Sequence, residues 1–149
     1  VNNSLIYNSI MTKIKIIEND PKESSIRKFL NFGHTIGHAI ESFLLSSDRE
    51  ILHGEAILTG IIIESYLSQK LLNFDTQLTS NIKNYILKFS KKIDFSDDDI
   101  MHIIEFLKYD KKNRSEEPLF VLLKEVGKPS YDNKVSNEEI IDAFKFYAI

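Results

Sequence analysis

The sequence predicts a mainly α-helical fold with one short β-hairpin, and three observations predict it. Apolar residues recur at steps of three and four through most of the 149 residues. One run, Leu119-Phe120-Val121-Leu122-Leu123, is apolar, partly β-branched and too short for a helix. No internal repeat or low-complexity linker divides the chain, whose length suits a single domain with one core.

Taken in order, Ile6, Ile10, Ile14 and Ile17 mark a first helix. It should stop near Asn19-Asp20-Pro21, because proline disfavours helix at the residue before it. A second helix is expected over residues 25–46, carrying Phe29, Leu30, Ile36, Ile40, Phe43 and Leu44. Within it, Gly33 and Gly37 lie four apart and cost roughly 1 kcal/mol each against alanine, so either a neighbouring helix or a ligand approaches the backbone there. A third helix over residues 53–72 is apolar all round and therefore central. A fourth fits residues 76–92, and a fifth starts at Ser96 as N-cap with Asp97, Asp98 and Asp99 in its first turn. The strand at 119–123 should pair with a second near Lys134-Val135. Ser136 and Glu139 form a capping box, with Val135 and Ile140 as its staple, and open a last helix reaching Tyr147. Phe43, Tyr66, Phe89, Phe106 and Phe144 fall at core spacing.

Composition excludes several functions. Hydrophobic residues make up 42% and charged residues 28%, and the net charge of -3 gives no basic field for nucleic acid, although local cations could meet a phosphorylated small molecule. The absence of cysteine rules out disulfides, thiolate zinc sites and a cysteine nucleophile, and fits a cytoplasmic location. The longest apolar stretch, 56–63, is interrupted by Thr59 and Gly60 and ends at Glu64, far short of a membrane span. The opening Val-Asn-Asn-Ser lacks both an initiator Met and a basic leader, so the expectation is a fragment of a longer protein.

Chemistry-bearing residues concentrate in Arg27-Lys28-Phe29-Leu30-Asn31-Phe32-Gly33-His34-Thr35-Ile36-Gly37-His38-Ala39-Ile40-Glu41. At helical spacing Arg27, Asn31, His34, His38 and Glu41 share one face, and His53-Gly54-Glu55 opens the next helix. Facing helices can converge imidazoles on a metal, so the pattern fits a metal or anion site as well as a satisfied polar face. Spacing alone makes His34 with His38 the obvious metal pair. Glu41 and Glu55 either orient a ligand histidine or make surface ion pairs. His102 reads as a partly buried structural histidine, Lys91-Lys92 as solvated charge, and Asp97-Asp98-Asp99 as helix-end charge.

The run Arg-x-x-Leu-Asn-Phe-Gly-His-Thr-x-Gly-His-Ala-Ile-Glu followed by Leu-His-Gly-Glu-Ala resembles the signature of the 3-dehydroquinate synthases, a branch of the sugar-phosphate cyclases. The resemblance extends upstream through Lys13, Asp20 and Glu23 and downstream through Asp110-Lys111-Lys112, the 119–123 run and Val126-Gly127. It implies the C-terminal, metal- and substrate-binding helical domain of the dehydroquinate synthase-like or glycerol dehydrogenase-like fold over residues 1–149, with the N-terminal NAD-binding domain outside this chain. It implies conversion of 3-deoxy-arabino-heptulosonate 7-phosphate to 3-dehydroquinate and phosphate, with zinc or cobalt and NAD as cofactors, in a homodimer when full length. Carried over by position, His34 and His53 are metal ligands whose third partner is a glutamate of the missing domain. His38 is then a proton carrier near the phosphate, coupled to Glu23. Arg27 holds the substrate carboxylate, Lys13 and Asn31 reach its polar groups, and Lys111 or Lys112, the latter slightly preferred, binds phosphate.

Two positions depart from the family pattern. Ser25 replaces a glycine two residues before the arginine, and Pro21 replaces a glutamate after the aspartate, so the local turn geometry should differ. Competing readings are another cyclase such as a 2-deoxy-scyllo-inosose synthase, a glycerol dehydrogenase-like half, or a stand-alone helical binding module. Retaining Lys13, Arg27 and Asn31 together favours the carboxylate-reading enzyme.

Overall fold

Helix α3 (His53–Leu72) is apolar on every side, and the rest of the chain is arranged around it. In the computed structural model, which describes residues 2–109 and 118–149, α3 packs against α2 (His34–Ser46), α4 (Thr76–Ile86), α6 (Asn137–Ala148) and strand β1 (Phe120–Glu125). Helix α5 (Asp97–Tyr109) closes over α2 and α6. Ile36, Ile40, Ile62, Ile63, Leu67, Ile103, Phe120, Leu122, Ile140, Phe144 and Tyr147 are almost completely buried and form one core. Each such side chain contributes roughly 1.5–3 kcal/mol by leaving water. No described helix is long and apolar enough to cross a membrane.

Local stop and start signals act as the sequence predicts. Helix α1 (Asn3–Asn19) ends before Pro21, with the Asp20 N–H on the Ile16 carbonyl. Ser96 Oγ accepts the Asp99 N–H, and Ser136 with Glu139 completes the capping box of α6. Ile140 is buried in the core and Val135 packs against that core.

Five expectations are corrected. The helix predicted over 25–46 is two pieces, a 3-10 helix (Ile26–Asn31) and α2, separated by extended Phe32 and left-handed Gly33 at φ 81°. Helix α4 ends at Ile86 rather than 92, because the chain must extend to deliver the Ile93 N–H to the Tyr147 hydroxyl. The second strand, β2 (Lys128–Asn133), precedes 134–135, since a tight turn at Val126-Gly127, with Gly127 at φ 77°, reverses the chain at once. Phe89 is 75% exposed, stacked edge-on to exposed Tyr85, and His102 is exposed with its ring parallel to Phe43 at 5.9 Å.

Helix α1 stands apart from the core. It buries no residue completely, packs chiefly on the 3-10 helix, and leaves Leu5, Ile6, Tyr7 and Ile10 exposed.

Candidate metal and substrate site

The site begins with a backbone contact between two helices. A Cβ on Gly60 would fall 2.0 Å from the Gly33 carbonyl oxygen and 2.8 Å from the Gly37 nitrogen, and one on Gly37 would fall 2.7 Å from Ile57. The two glycines of α2 therefore serve helix-to-helix contact, resolving the choice their spacing left open. This close approach aligns the His34-to-Glu41 segment of α2 with the first turns of α3.

Three imidazoles converge at the edge of that contact. Ring centroids lie 5.4 Å apart for His34 and His38, 6.1 Å for His34 and His53, and 5.6 Å for His38 and His53. One ring nitrogen from each lies within 4.8 Å of the others. His34 Nδ1 lies 3.2 Å from the Phe32 carbonyl, and His53 Nδ1 lies 3.0 Å from Glu41 Oε2. A neutral imidazole donating from Nδ1 keeps its lone pair on Nε2, which is how ligand histidines are ordinarily oriented. Glu41 thus bonds His53, a contact that fits an orienting carboxylate and an ion pair alike, while Glu55 caps α3 through the Leu52 N–H. Burial, then positive charge on His38, His53 and Lys13, lowers the His34 pKa against the pull of the Phe32 carbonyl. A neutral, half-buried imidazole beside two more is a donor set that suits zinc or a similar divalent ion.

A second wall is the loop between α1 and α2. Asp20, 5% exposed, accepts the N–H groups of Ser24 at 3.0 Å, Ser25 at 2.7 Å and Arg27 at 3.1 Å. Burial would raise this carboxyl, but the N–H groups of Ser24, Ser25 and Arg27 and the Ser24 hydroxyl outweigh it and hold it far below the usual carboxylate range. The turn so formed puts Glu23 at φ 55°. Asn31 Nδ2 donates to Glu23 Oε1 at 2.7 Å, Arg27 Nε lies 3.6 Å from Glu23 Oε2, and Arg27 Nη1 donates to the Pro21 carbonyl at 2.9 Å. Both departures from the family pattern are absorbed here, Ser25 by bonding Asp20 and Pro21 by holding Arg27.

Beside these walls lies a cleft of about 740 Å³, lined by Glu23 and Asn31 of the loop wall, His34 and His38 of α2, and Phe120 and Val121 of β1. Lys28 also faces it, paired at 2.7 Å with Asp132 of β2, and neither residue was singled out by sequence. Lys13 is exposed on α1, near enough to act on the charge of His34. Glu23 meets Arg27 and Asn31, so the expected Glu23–His38 relay has a competitor for the carboxylate. Lys111 and Lys112 lie outside the described residues.

One buried carboxyl beside the site is not singled out by the sequence. Glu64 is completely buried in α3, and its Oε2 accepts the Gly33 N–H at 2.6 Å while Oε1 accepts the Ile36 N–H at 3.1 Å. Burial raises this carboxyl to about 8 against the pull of the Ile36, Gly33 and Thr35 N–H groups. A lone acid after Ile61-Ile62-Ile63 in a central helix was the signal.

With this geometry in hand, comparison with known proteins is decisive. Residues 1–113 match the model of the 3-dehydroquinate synthase C-terminal family. The chain belongs to that family. The 3-dehydroquinate synthase of Parabacteroides distasonis is 43% identical over 145 residues, 97% of this chain and 41% of that protein. Those of Dictyoglomus turgidum and Campylobacter jejuni subsp. doylei are 35% and 33% identical over 141 residues, 95% of this chain and 39% and 40% of theirs. The chain thus spans about two-fifths of the length of these relatives. Among solved structures, a 2-epi-5-epi-valiolone synthase from Streptomyces hygroscopicus subsp. jinggangensis 5008, with NAD+ and Zn2+ bound, shares the fold. Its TM-score is 0.77 at 18% identity, over 97% of this chain and 39% of that one.

Proposed function

We propose that this chain is the metal- and substrate-holding part of a 3-dehydroquinate synthase, which converts 3-deoxy-arabino-heptulosonate 7-phosphate to 3-dehydroquinate and eliminates phosphate. The observation that carries the reading is the convergence of imidazoles from α2 and α3, two of them with Nε2 left free, in a chain 43% identical to a protein of that name. The share of the relatives that it spans supports a separate N-terminal part, to which the proposal assigns NAD binding and the third metal ligand. The solved relative with NAD+ and Zn2+ supports the cofactor class.

Zinc or cobalt held by His34 and His53 would stabilise negative charge on a substrate alcohol, and NAD would supply reversible hydride transfer. The chain's own residues bind and move protons. The Arg27 guanidinium, half-buried and pinned by the Pro21 carbonyl, offers a fork that matches a carboxylate. Asn31 and Lys13 meet neighbouring polar groups, and Lys111 or Lys112 meets the phosphate. His38, exposed to the cleft, holds and returns a proton beside the leaving phosphate, while Glu23 positions Arg27 and Asn31. The test is metal analysis of the full-length protein. His34→Ala and His53→Ala should each lose zinc and turnover together, whereas His38→Ala should keep zinc and lose about 10²–10⁴-fold in rate. Loss of zinc in His38→Ala alone would refute the assignment.

One distance favours a second reading. A ring nitrogen of His38 lies within 4.8 Å of one on each of His34 and His53, so this chain alone could hold a metal through three histidines. Calorimetric zinc titration of the chain separates the two. Weak binding supports the shared site, and tight one-to-one binding abolished by His38→Ala supports the three-histidine set.

A further inference from the structure

We propose that Glu64 is a positioning residue for the metal site: from inside α3 it holds the first turn of α2, and with it His34, at the place where the metal binds. The inference rests on the reading of His34 and His53 as metal ligands. An α-helix begins with N–H groups that have no partner in the helix, and a Ser, Thr, Asp or Asn at the N-cap usually accepts one of them. Helix α2 has no such cap, because its N-cap is Gly33. No side chain fits there. The residue has φ 81°, and a Cβ would fall 2.4 Å from Ile61 Cγ1 and 2.9 Å from the Ile61 nitrogen. The capping oxygens must therefore come from another element, and Glu64 supplies both.

Its bonds bracket His34. Gly33 N–H on one side and Ile36 N–H on the other are held at 2.6 and 3.1 Å, and the Thr35 N–H bonds the same carboxyl. His34 is the first residue of α2, so its Cα direction is fixed between these anchors, and its Nδ1 is then turned to the Phe32 carbonyl. Without the carboxyl, three buried N–H groups would lose their partner, and the turn carrying His34 could relax toward a geometry that satisfies them. A purely structural role predicts lost stability alone. A positioning role predicts lost metal affinity beyond what lost stability explains.

The experiment uses the full-length protein with zinc and cobalt ions as probes. Glu64→Met keeps the volume and removes both acceptors, and Glu64→Gln keeps one. Leu67→Ala, a fully buried change on the same helix away from the cap, is the stability control. Chelator competition should show zinc affinity about tenfold or more weaker in Glu64→Met, with Glu64→Gln between it and the parent. The visible cobalt spectrum, which reports ligand geometry, should shift in the same order, while Leu67→Ala leaves affinity and spectrum unchanged. If Glu64→Met fails to fold, Glu64→Gln decides. A Glu64→Gln protein matching Leu67→Ala in both readouts overturns the proposal. His34→Ala is the separate arm: undiminished zinc binding there would overturn the metal assignment itself rather than the role of Glu64.

Discussion

The wall that carries His34, His38 and His53 consists of two α-helices in direct backbone contact, whereas the wall that carries Glu23, Arg27 and Asn31 is a loop and a 3-10 turn tied by side chains. Each wall is organised by one buried carboxyl that gathers backbone N–H groups. Asp20 takes those of Ser24, Ser25 and Arg27 from the loop, and Glu64 takes those of Gly33, Thr35 and Ile36 from the helix start. The two sets of bonds differ in one respect. Glu64 has no exposed surface and is raised to about 8 by burial, while Asp20, also buried, accepts the Ser24 hydroxyl besides its N–H groups and is lowered. The balance between burial and donated hydrogen bonds decides which way a capping carboxyl shifts. The loop wall keeps exposed residues such as Lys22 and Ser24.

The largest effect should come from breaking the backbone contact. Gly60→Ala forces a methyl to within 2.0 Å of the Gly33 carbonyl, so urea unfolding should show a loss of about 3 kcal/mol, or no folded protein. Gly54→Ala is the comparison. Nothing lies within 4 Å of a Cβ there, and its stability should stay within about 0.5 kcal/mol of the parent. Equal losses at both positions would contradict the account of the histidine wall.

The smaller effect is in the pH dependence of the two carboxyls, which should run in opposite directions. Glu64 is raised, so between its ordinary 4.5 and about 8 the folded protein holds a proton that the unfolded chain has lost. Its contribution is complete below 4.5 and declines as pH rises toward 8. Thermal stability of the parent relative to Glu64→Gln should therefore fall across that window and then level. Asp20 is lowered, so its contribution is complete above its ordinary 3.8 and is lost as pH falls below it. The parent's advantage over Asp20→Asn should shrink only on the acid side. Parallel slopes for the two pairs would show that the walls do not differ as described.

What was legible in the sequence divides along the same line. Pro21 ending α1, Ser96 capping α5, and the Ser136–Glu139 box are short-range signals, read correctly because the bonds they make span only a few residues. The histidines were legible because their spacing and their motif are local to 27–55. The break at Gly33 was not, because its left-handed backbone answers to Ile61 of another helix. Glu64 was missed for the same reason, its partners being 28 and 31 residues away. Spacing also names the residues of a helical face without saying what covers it. The Ile6–Ile10 face of α1 and Phe89 of the segment after α4 are both exposed despite core-like spacing.

The most direct test is a zinc-loaded crystal structure of the full-length protein, with the metal located by its anomalous signal. The account predicts one zinc about 2.0–2.1 Å from Nε2 of both His34 and His53, with His53 Nδ1 still on Glu41. A zinc bound away from either of these two nitrogens, in an otherwise unchanged fold, would contradict it.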